Sequence, residues 1–252
     1  MHPILIDIGP LTIHSYGFFI ALAFVLGMRV AMHEAPHYGL NPQFVPDLSF
    51  YLIISAIAGS RLLYVLLDPR PFLNDPLLIL QFWKGGLVFV GGVVAAVATA
   101  WAVIRIKGQP FWKWADAFAP AIAAGQFLGR IGCLMAGCCY GKPTSLPWAV
   151  TFTHPKSLAP LHIPLHPTQV YHSLAGLVTC IALLLLRSKL PGYGQRFGLF
   201  LVLFTLFRFG IEFFRGDFRG AVGPFSLTQV AAGIIFFLGL ALLWRKGRTA
   251  HA

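Results

Sequence analysis

The sequence predicts an all-α integral membrane protein with seven transmembrane helices. Two observations carry that expectation. Apolar residues make up 57% of the chain and charged residues only 11%, far from the balance of a water-soluble domain. Seven apolar runs approach the roughly twenty residues needed to cross the hydrocarbon of a bilayer, and stretches rich in Pro and Gly separate them. The 252 residues are read as a single polytopic domain, 1–252.

The runs, in order, are Tyr16–Met32, Phe50–Leu67, Leu87–Ile106, Ala115–Ala136, Thr168–Leu186, Phe197–Phe214 and Leu227–Trp244. The opening "MHPILIDIGP" has no basic segment and carries Asp7, so no cleavable signal peptide is expected. The breaks include "HEAPHYGLNPQFVPD", "DPRPFLNDP", "KGQP", "KLPGYGQ" and "GDFRGAVGP". Asp75–Trp83 is too short to span and reads as a short interfacial helix anchored by Phe82 and Trp83. "GGLVFVGG" opens the third run with two glycine pairs, a place for close backbone approach.

Charge sets the expected orientation. With the C-terminus cytoplasmic and the N-terminus outside, ten basic residues fall inside (Arg29, Arg105, Lys107, Lys113, Arg187, Lys189, Arg196, Arg245, Lys246, Arg248). Six fall outside (Arg70, Lys84, Lys142, Lys156, Arg215, Arg219), as the positive-inside rule asks. The longer connections, Pro69–Gly86 and Gly137–Pro167, then lie on the outer side, where substrate is handled. The net charge of +11 fits anionic headgroups. The basic residues form no tract, so a nucleic-acid partner is not expected.

Three arginines stand inside apolar runs: Arg61, Arg130 and Arg208. A charge at that depth needs a partner or a wet cavity. Arg61 has an internal pairing open to it, with Glu212 or Asp116. Eight acidic residues against nineteen basic ones leave a surplus of cations, and an external anion such as a lipid phosphate suits a planar guanidinium. In "FRFGIEFFRG", Arg208, Glu212 and Arg215 follow one helical face at i, i+4 and i+7, so Glu212 is expected to bridge both arginines; an outer-rim salt bridge is the alternative for Arg215. Ala121, Gly125, Gly129 and Gly132 recur at helical spacing around Arg130, mainly for packing. In "HPTQVY", His166 or Thr168 caps a helix with Pro167 in its first turn. Gln169 and Tyr171 either donate to a ligand or satisfy the helix end. Tyr16 opens the first run as an interface tyrosine.

The four cysteines, Cys133, Cys138, Cys139 and Cys180, show no C-x-x-C spacing. Cys133 lies one turn beyond Arg130. It is expected to pack as a small apolar side chain, and Cys138 and Cys139 as filler near the outer surface. No metal site is expected, although His154, His162 and His166 share the outer loop.

Taken together, "IGPLTIHSYG", "GSRLLYV", "GRIGC…YG", "HPTQVY" and "LFRFGIEFFRG" resemble the prolipoprotein diacylglyceryl transferase family in order and spacing, over nearly the whole chain. The resemblance implies a multi-pass enzyme of the bacterial inner membrane. Such an enzyme moves the diacylglyceryl group of phosphatidylglycerol onto the lipobox cysteine thiol of a preprolipoprotein, forms a thioether and releases glycerol phosphate, without a cofactor. It implies Arg130 and Arg208 as the essential arginines. Tyr16, Glu212, Arg215 and Gly141 then join them at the phosphatidylglycerol site.

Three positions depart from the family pattern. Val90 stands for a usual His or Tyr, Cys133 for Asn, and His172 for Glu. Val90 cannot deprotonate a thiol. Either the arginine field lowers the thiol pKa enough, or His14, His166 or His172 serves as base. Two other classes fit the same residues: a non-catalytic phospholipid- or lipoprotein-binding paralogue, and an anion transporter lined by arginines. The transporter reading lacks the expected internal repeats.

Overall fold

The computed structural model describes residues 1–8, 11–217, 221–222 and 225–244. Arg219, Arg245, Lys246 and Arg248, which entered the charge comparison, lie outside the described residues. The chain groups into two compact units: Gly39–Phe111, and Met1–Tyr38 with Trp112–Ala252.

In the Gly39–Phe111 unit, apolar length makes α2 (Phe44–Leu67) and α4 (Phe89–Ile106). They are joined by the short α3 (Arg70–Asn74) and by 3-10 turns at Pro76–Leu80 and Phe82–Lys84. Glycine sets how closely α2 and α4 approach. A Cβ on Gly91 would lie 2.4 Å from the Gly59 carbonyl oxygen, one on Gly59 2.3 Å from Ala95 Cβ, and one on Gly92 2.3 Å from Ser60 Oγ. The close approach expected of "GGLVFVGG" is therefore present, and "GSRLLY" supplies its other half.

Among the described residues Arg61 is not paired with a carboxylate, so neither Glu212 nor Asp116 is its partner. Its Nε donates to Ile79 O at 2.9 Å, its Nη1 to Gly85 O and Gly86 O at 2.8 and 3.1 Å, and its Nη2 to Leu78 O. Backbone carbonyls of the connecting segment replace a counter-ion, and the side chain lies over Tyr64 and Phe72.

The other unit begins with an antiparallel hairpin, β1 (Ile4–Ile8) and β2 (Leu11–His14), that runs into α1 (Ser15–Glu34). It continues with α5 (Phe111–Ala136), α6 (Thr168–Leu185), α7 (Gln195–Glu212) and α8 (Leu227–Trp244). Two strand pairs, β3 (Val150–Thr151) with β4 (Pro164–Leu165) and β5 (Ala221–Val222) with β6 (Phe225–Ser226), brace the connections. Small residues again set the packing. Gly176 of α6 faces Ala123 O and Phe127 N of α5, and Gly198 of α7 faces Gly239 O of α8. Ala119, Ala123, Ala124, Cys180, Leu183 and Phe200 form the buried core between α5, α6 and α7.

The end of this unit away from Arg130 is tied by charge. Glu34, fully buried, pairs with Arg196 and, at 3.4 Å, with Arg187. Arg196 also donates to Leu183 O at 2.8 Å and to the Tyr38 hydroxyl at 3.2 Å. Arg196, expected in a cytoplasmic connection, lies inside α7 and is fully enclosed. Asp116 accepts from the backbone N–H groups of Gly194 and Phe197 at 2.6 and 2.8 Å, so this carboxylate satisfies the exposed start of α7 rather than Arg61.

Large apolar side chains face outward along the helices, among them Leu66, Leu67, Phe237 and Trp244. That is the pattern of a chain solvated by hydrocarbon. Among the described residues, α1 with its 3-10 extension, α2, α4, α5, α6 and α8 are long and apolar enough to cross a membrane. The helix α7 is 18 residues long, but Arg196, Arg208 and Glu212 lower its apolar character.

Candidate functional site

Arg130, His172, Arg208 and Arg215 come from α5, α6, the end of α7 and the segment after it. Arg208 Nη1 lies 3.3 Å from His172 Nε2. Arginine only donates, so Nε2 is the acceptor nitrogen of that ring. Arg208 Nη2 lies 3.6 Å from Glu212 Oε2, and Glu212 Oε1 accepts from Ser226 Oγ at 3.1 Å. The start of α6 is fixed to α5: Ser173 Oγ donates to Phe127 O at 2.8 Å, and Gln126 Nε2 to His172 O at 3.4 Å.

Glu212 does not bridge Arg208 and Arg215. The helix ends at Glu212, so the i+7 register is never reached. Arg215 leaves the helix, its backbone pairs with Gly141, and its guanidinium grips Asp217 through two hydrogen bonds of 2.7 and 2.6 Å. Burial works against the Arg215 charge, but the Asp217 hydrogen bond outweighs it and holds the guanidinium above its ordinary value.

Arg130 is different. It is half-buried and makes no hydrogen bond or ion pair among the described residues. Its charge still reaches His172, Cys139 and the Tyr16 ring, and Arg208 and Arg215 also act on His172. Three guanidinium groups thus lie within electrostatic reach of one imidazole, and Arg130 has its donors unused among the described residues.

The other expected site residues divide. Tyr16, in the first turn of α1, stands beside Arg130 and the three clustered cysteines described below. Gly141 is enclosed: a Cβ there would lie 2.5 Å from His166 O and 2.8 Å from Phe214 O. Its backbone N–H donates to His166 O at 3.1 Å, while Lys142 N donates to Phe214 O at 2.8 Å. Gly141 therefore lets three backbone segments cross and positions Arg215 beside the site. His166 approaches the Tyr171 hydroxyl at 3.3 Å and packs on Phe214. Tyr171 in turn accepts from Trp148 Nε1 at 2.9 Å. His14 ends β2 opposite Ile4 and is exposed. Of the three candidate bases, only His172 lies among the arginines, and its acceptor nitrogen already takes a hydrogen bond from Arg208. Val90 lies in α4 with its side chain exposed.

Thr168 does not cap α6 through its side chain. The cap position is Pro167. Thr168 Oγ1 donates to Cys139 O at 2.7 Å, and Gln169 Nε2 to Cys138 O at 2.8 Å; both residues are fully buried. They clamp a cluster of thiols that the spacing of the cysteines does not signal. The Sγ atoms of Cys133, Cys138 and Cys139 all lie within 4.8 Å of one another, with no disulfide among them. Gly137 ends α5 in the left-handed region, with φ 81° and its N–H on Cys133 O at 2.9 Å. That reversal folds residues 138 and 139 back onto Cys133. Cys139 itself holds φ 61°, uncommon for a residue with a Cβ.

Membrane-length apolar helices, with a polar, arginine-rich cluster inside the larger unit, define an integral membrane protein. The family model for prolipoprotein diacylglyceryl transferase matches residues 3–245, and the chain belongs to that family. Proteins named phosphatidylglycerol–prolipoprotein diacylglyceryl transferase resemble it end to end. The one from Clostridium tetani is 33% identical over 95% of this chain and 96% of its own. That from Solidesulfovibrio magneticus is 36% identical over 99% and 96%, and that from Methylococcus capsulatus 36% identical over 96% and 94%.

Proposed function

We propose that this chain transfers the diacylglyceryl group of phosphatidylglycerol to the lipobox cysteine thiol of a preprolipoprotein. The thiol loses its proton to solvent, and its sulfur forms a bond to the glyceryl carbon. The C–O bond to phosphate breaks, and glycerol phosphate leaves with the electron pair. The phosphate gains a negative charge as that bond breaks, so guanidinium groups aimed at it stabilise the transition state more than the ground state. The observation that carries the reading is Arg130, which has no counter-ion among the described residues, while Arg208 and Arg215 each have one. In this reading Arg130 receives the phosphate, Arg208 flanks it, and Glu212, Asp217 and Gly141 hold the flanking charges in place. Tyr16 lies along the lipid.

The proposed setting is the bacterial inner membrane. The polar helix α7 serves as the seventh span, the N-terminus faces outward and the C-terminus faces the cytoplasm. The outward placement of Lys142, Lys156 and the Arg130 end of α5 follows from that orientation.

The test uses the full chain in nanodiscs containing phosphatidylglycerol, with a lipobox peptide. The expected result is a peptide heavier by one diacylglyceryl group, released together with glycerol phosphate. Phosphatidylglycerol retained without any thioether product would overturn the transferase reading in favour of a lipid-binding paralogue. Reporter fusions at each terminus check the orientation.

A further inference from the structure

Among the described residues, Cys133, Cys138 and Cys139 form the one group of three His, Cys, Asp or Glu side chains with ligand atoms close enough to share a metal, and the phosphate chemistry does not use it. Three sulfurs within 4.8 Å of one another are supplied by the last turn of α5 and a loop reversed at Gly137. A tetrahedral zinc thiolate, with Zn–S near 2.3 Å, has S···S edges of about 3.8 Å, within reach of small side-chain rotations. The loop is fixed from behind, because Thr168 and Gln169 hold the carbonyls of Cys139 and Cys138. Among the described residues no histidine, carboxylate or further cysteine joins the group. A metal held there would have three protein ligands and an open fourth position, the layout of catalytic rather than structural zinc. Three thiolates and Zn²⁺ sum to one negative charge, which Arg130 and Arg215 beside Cys139 offset.

A thiol that must become a nucleophile needs something to remove its proton. The nearby candidates are engaged: His172 Nε2 with Arg208, Glu212 with Arg208 and Ser226, and Asp217 with Arg215. A thiol bound to zinc is deprotonated by the metal.

We propose that Cys133, Cys138 and Cys139 bind a thiophilic d¹⁰ cation, Zn²⁺, as a tris-thiolate whose open position takes the substrate thiol beside Arg130. The role of the open position rests on the transferase reading; the metal site does not. Each cysteine thiol that ligates the metal releases its proton to solvent, and so does the incoming thiol. The zinc-bound sulfur then attacks the glyceryl carbon, the C–O bond to phosphate breaks, and zinc keeps its oxidation state. The thioether product is a poor ligand and leaves.

The test begins with the full chain in nanodiscs, metal-stripped with a chelator and reloaded with Zn²⁺ or Co²⁺. The expected results are one metal per chain and, for cobalt, a thiolate-to-metal charge-transfer absorption. That absorption shifts on adding a lipobox peptide but not its Cys→Ser analogue, and is absent from the triple variant Cys133→Ser, Cys138→Ser, Cys139→Ser. Transfer falls in the stripped wild type by the scale of a lost general base, about 10²-fold or more, and returns with Zn²⁺. Because stripping leaves the sequence intact, a folding defect in the triple variant does not decide the matter. Undiminished transfer by the stripped chain overturns the role of the metal in activating the thiol and leaves the transferase reading standing. Metal binding with the expected spectrum but no thioether product overturns the transferase reading and leaves the site. Failure to bind metal, or a cobalt spectrum without charge transfer, overturns the site.

Discussion

Arg130 and Arg208 carry the same charge and the same proposed task, but they are embedded differently, and this predicts distinct phenotypes. In Arg208→Gln, Glu212 loses a cation 3.6 Å away while its side chain stays 6% exposed. At an effective dielectric of 20 the direct interaction is about 5 kcal/mol. Ser226 continues to donate to Glu212 at 3.1 Å, and glutamine keeps a donor for His172. The net destabilisation is therefore expected at about 2–3 kcal/mol, below the range for a buried charge left wholly uncompensated. For a chain of this size that lowers the melting temperature by about 4–12 °C. Arg130→Gln removes a group with no partner among the described residues, so its stability stays within about 0.5 kcal/mol of wild type. Both variants lose a donor aimed at the developing phosphate charge, and each should lower transfer by about 10²-fold or more. Adding Glu212→Gln to Arg208→Gln should recover most of the melting temperature and none of the transfer. Thermal unfolding in detergent and single-turnover transfer in nanodiscs measure the two effects separately. If Arg130→Gln melts as low as Arg208→Gln, or transfers normally, Arg130 is not the unpartnered phosphate arginine and the argument fails.

Arg61→Ala strips the donors from the carbonyls of Leu78, Ile79, Gly85 and Gly86; limited proteolysis should then cut within Pro69–Gly86, and Arg61→Lys should not protect it, because a single ammonium cannot span those acceptors. Gly91→Ala drives a Cβ to 2.4 Å from the Gly59 carbonyl oxygen, and the forced separation of α2 and α4 should cost about 1–3 kcal/mol in unfolding measurements. Asp116→Ala leaves the N–H groups of Gly194 and Phe197 without their acceptor and should cost about 2–3 kcal/mol, with Asp116→Asn intermediate.

Legibility from sequence followed the range of the interactions involved. The helices were readable because apolar length and Pro/Gly breaks are local signals. Six of the seven expected starts lie within four residues of the observed ones. The exception is α2, which begins at Phe44 rather than Phe50. There Pro46 fits a first turn, and Val45 and Leu48 are buried, which a hydropathy run cannot see. The hairpin Ile4–His14 escaped because its alternation is only a few residues long. The partners of Arg61 were illegible for a related reason: backbone carbonyls leave no mark in a sequence, where only Asp and Glu stand out as partners for an arginine.

The cysteines show the limit most clearly. A ligand search by spacing assumes that neighbouring ligands sit on one turn, as in C-x-x-C. Here the spacing is C-x-x-x-x-C-C, and the sulfurs meet only because Gly137 turns the chain back. The readable trace was the glycine itself, standing after an apolar run and directly before two cysteines, where a left-handed helix end is expected. The same reversal explains why Arg215 and Glu212 part company. The segment after Gly137 runs beside the end of α7 through the Gly141–Arg215 pairing, and the helix stops where that pairing begins. One turn therefore places the thiols against Arg130 and also separates Arg215 from the helical face it would otherwise share with Arg208. A substitution at Gly137 should disturb both at once. Its Cβ would lie 2.1 Å from Ser157 Oγ and 3.1 Å from the Leu158 and Ala159 nitrogens, and φ 81° is unfavourable for any residue with a side chain.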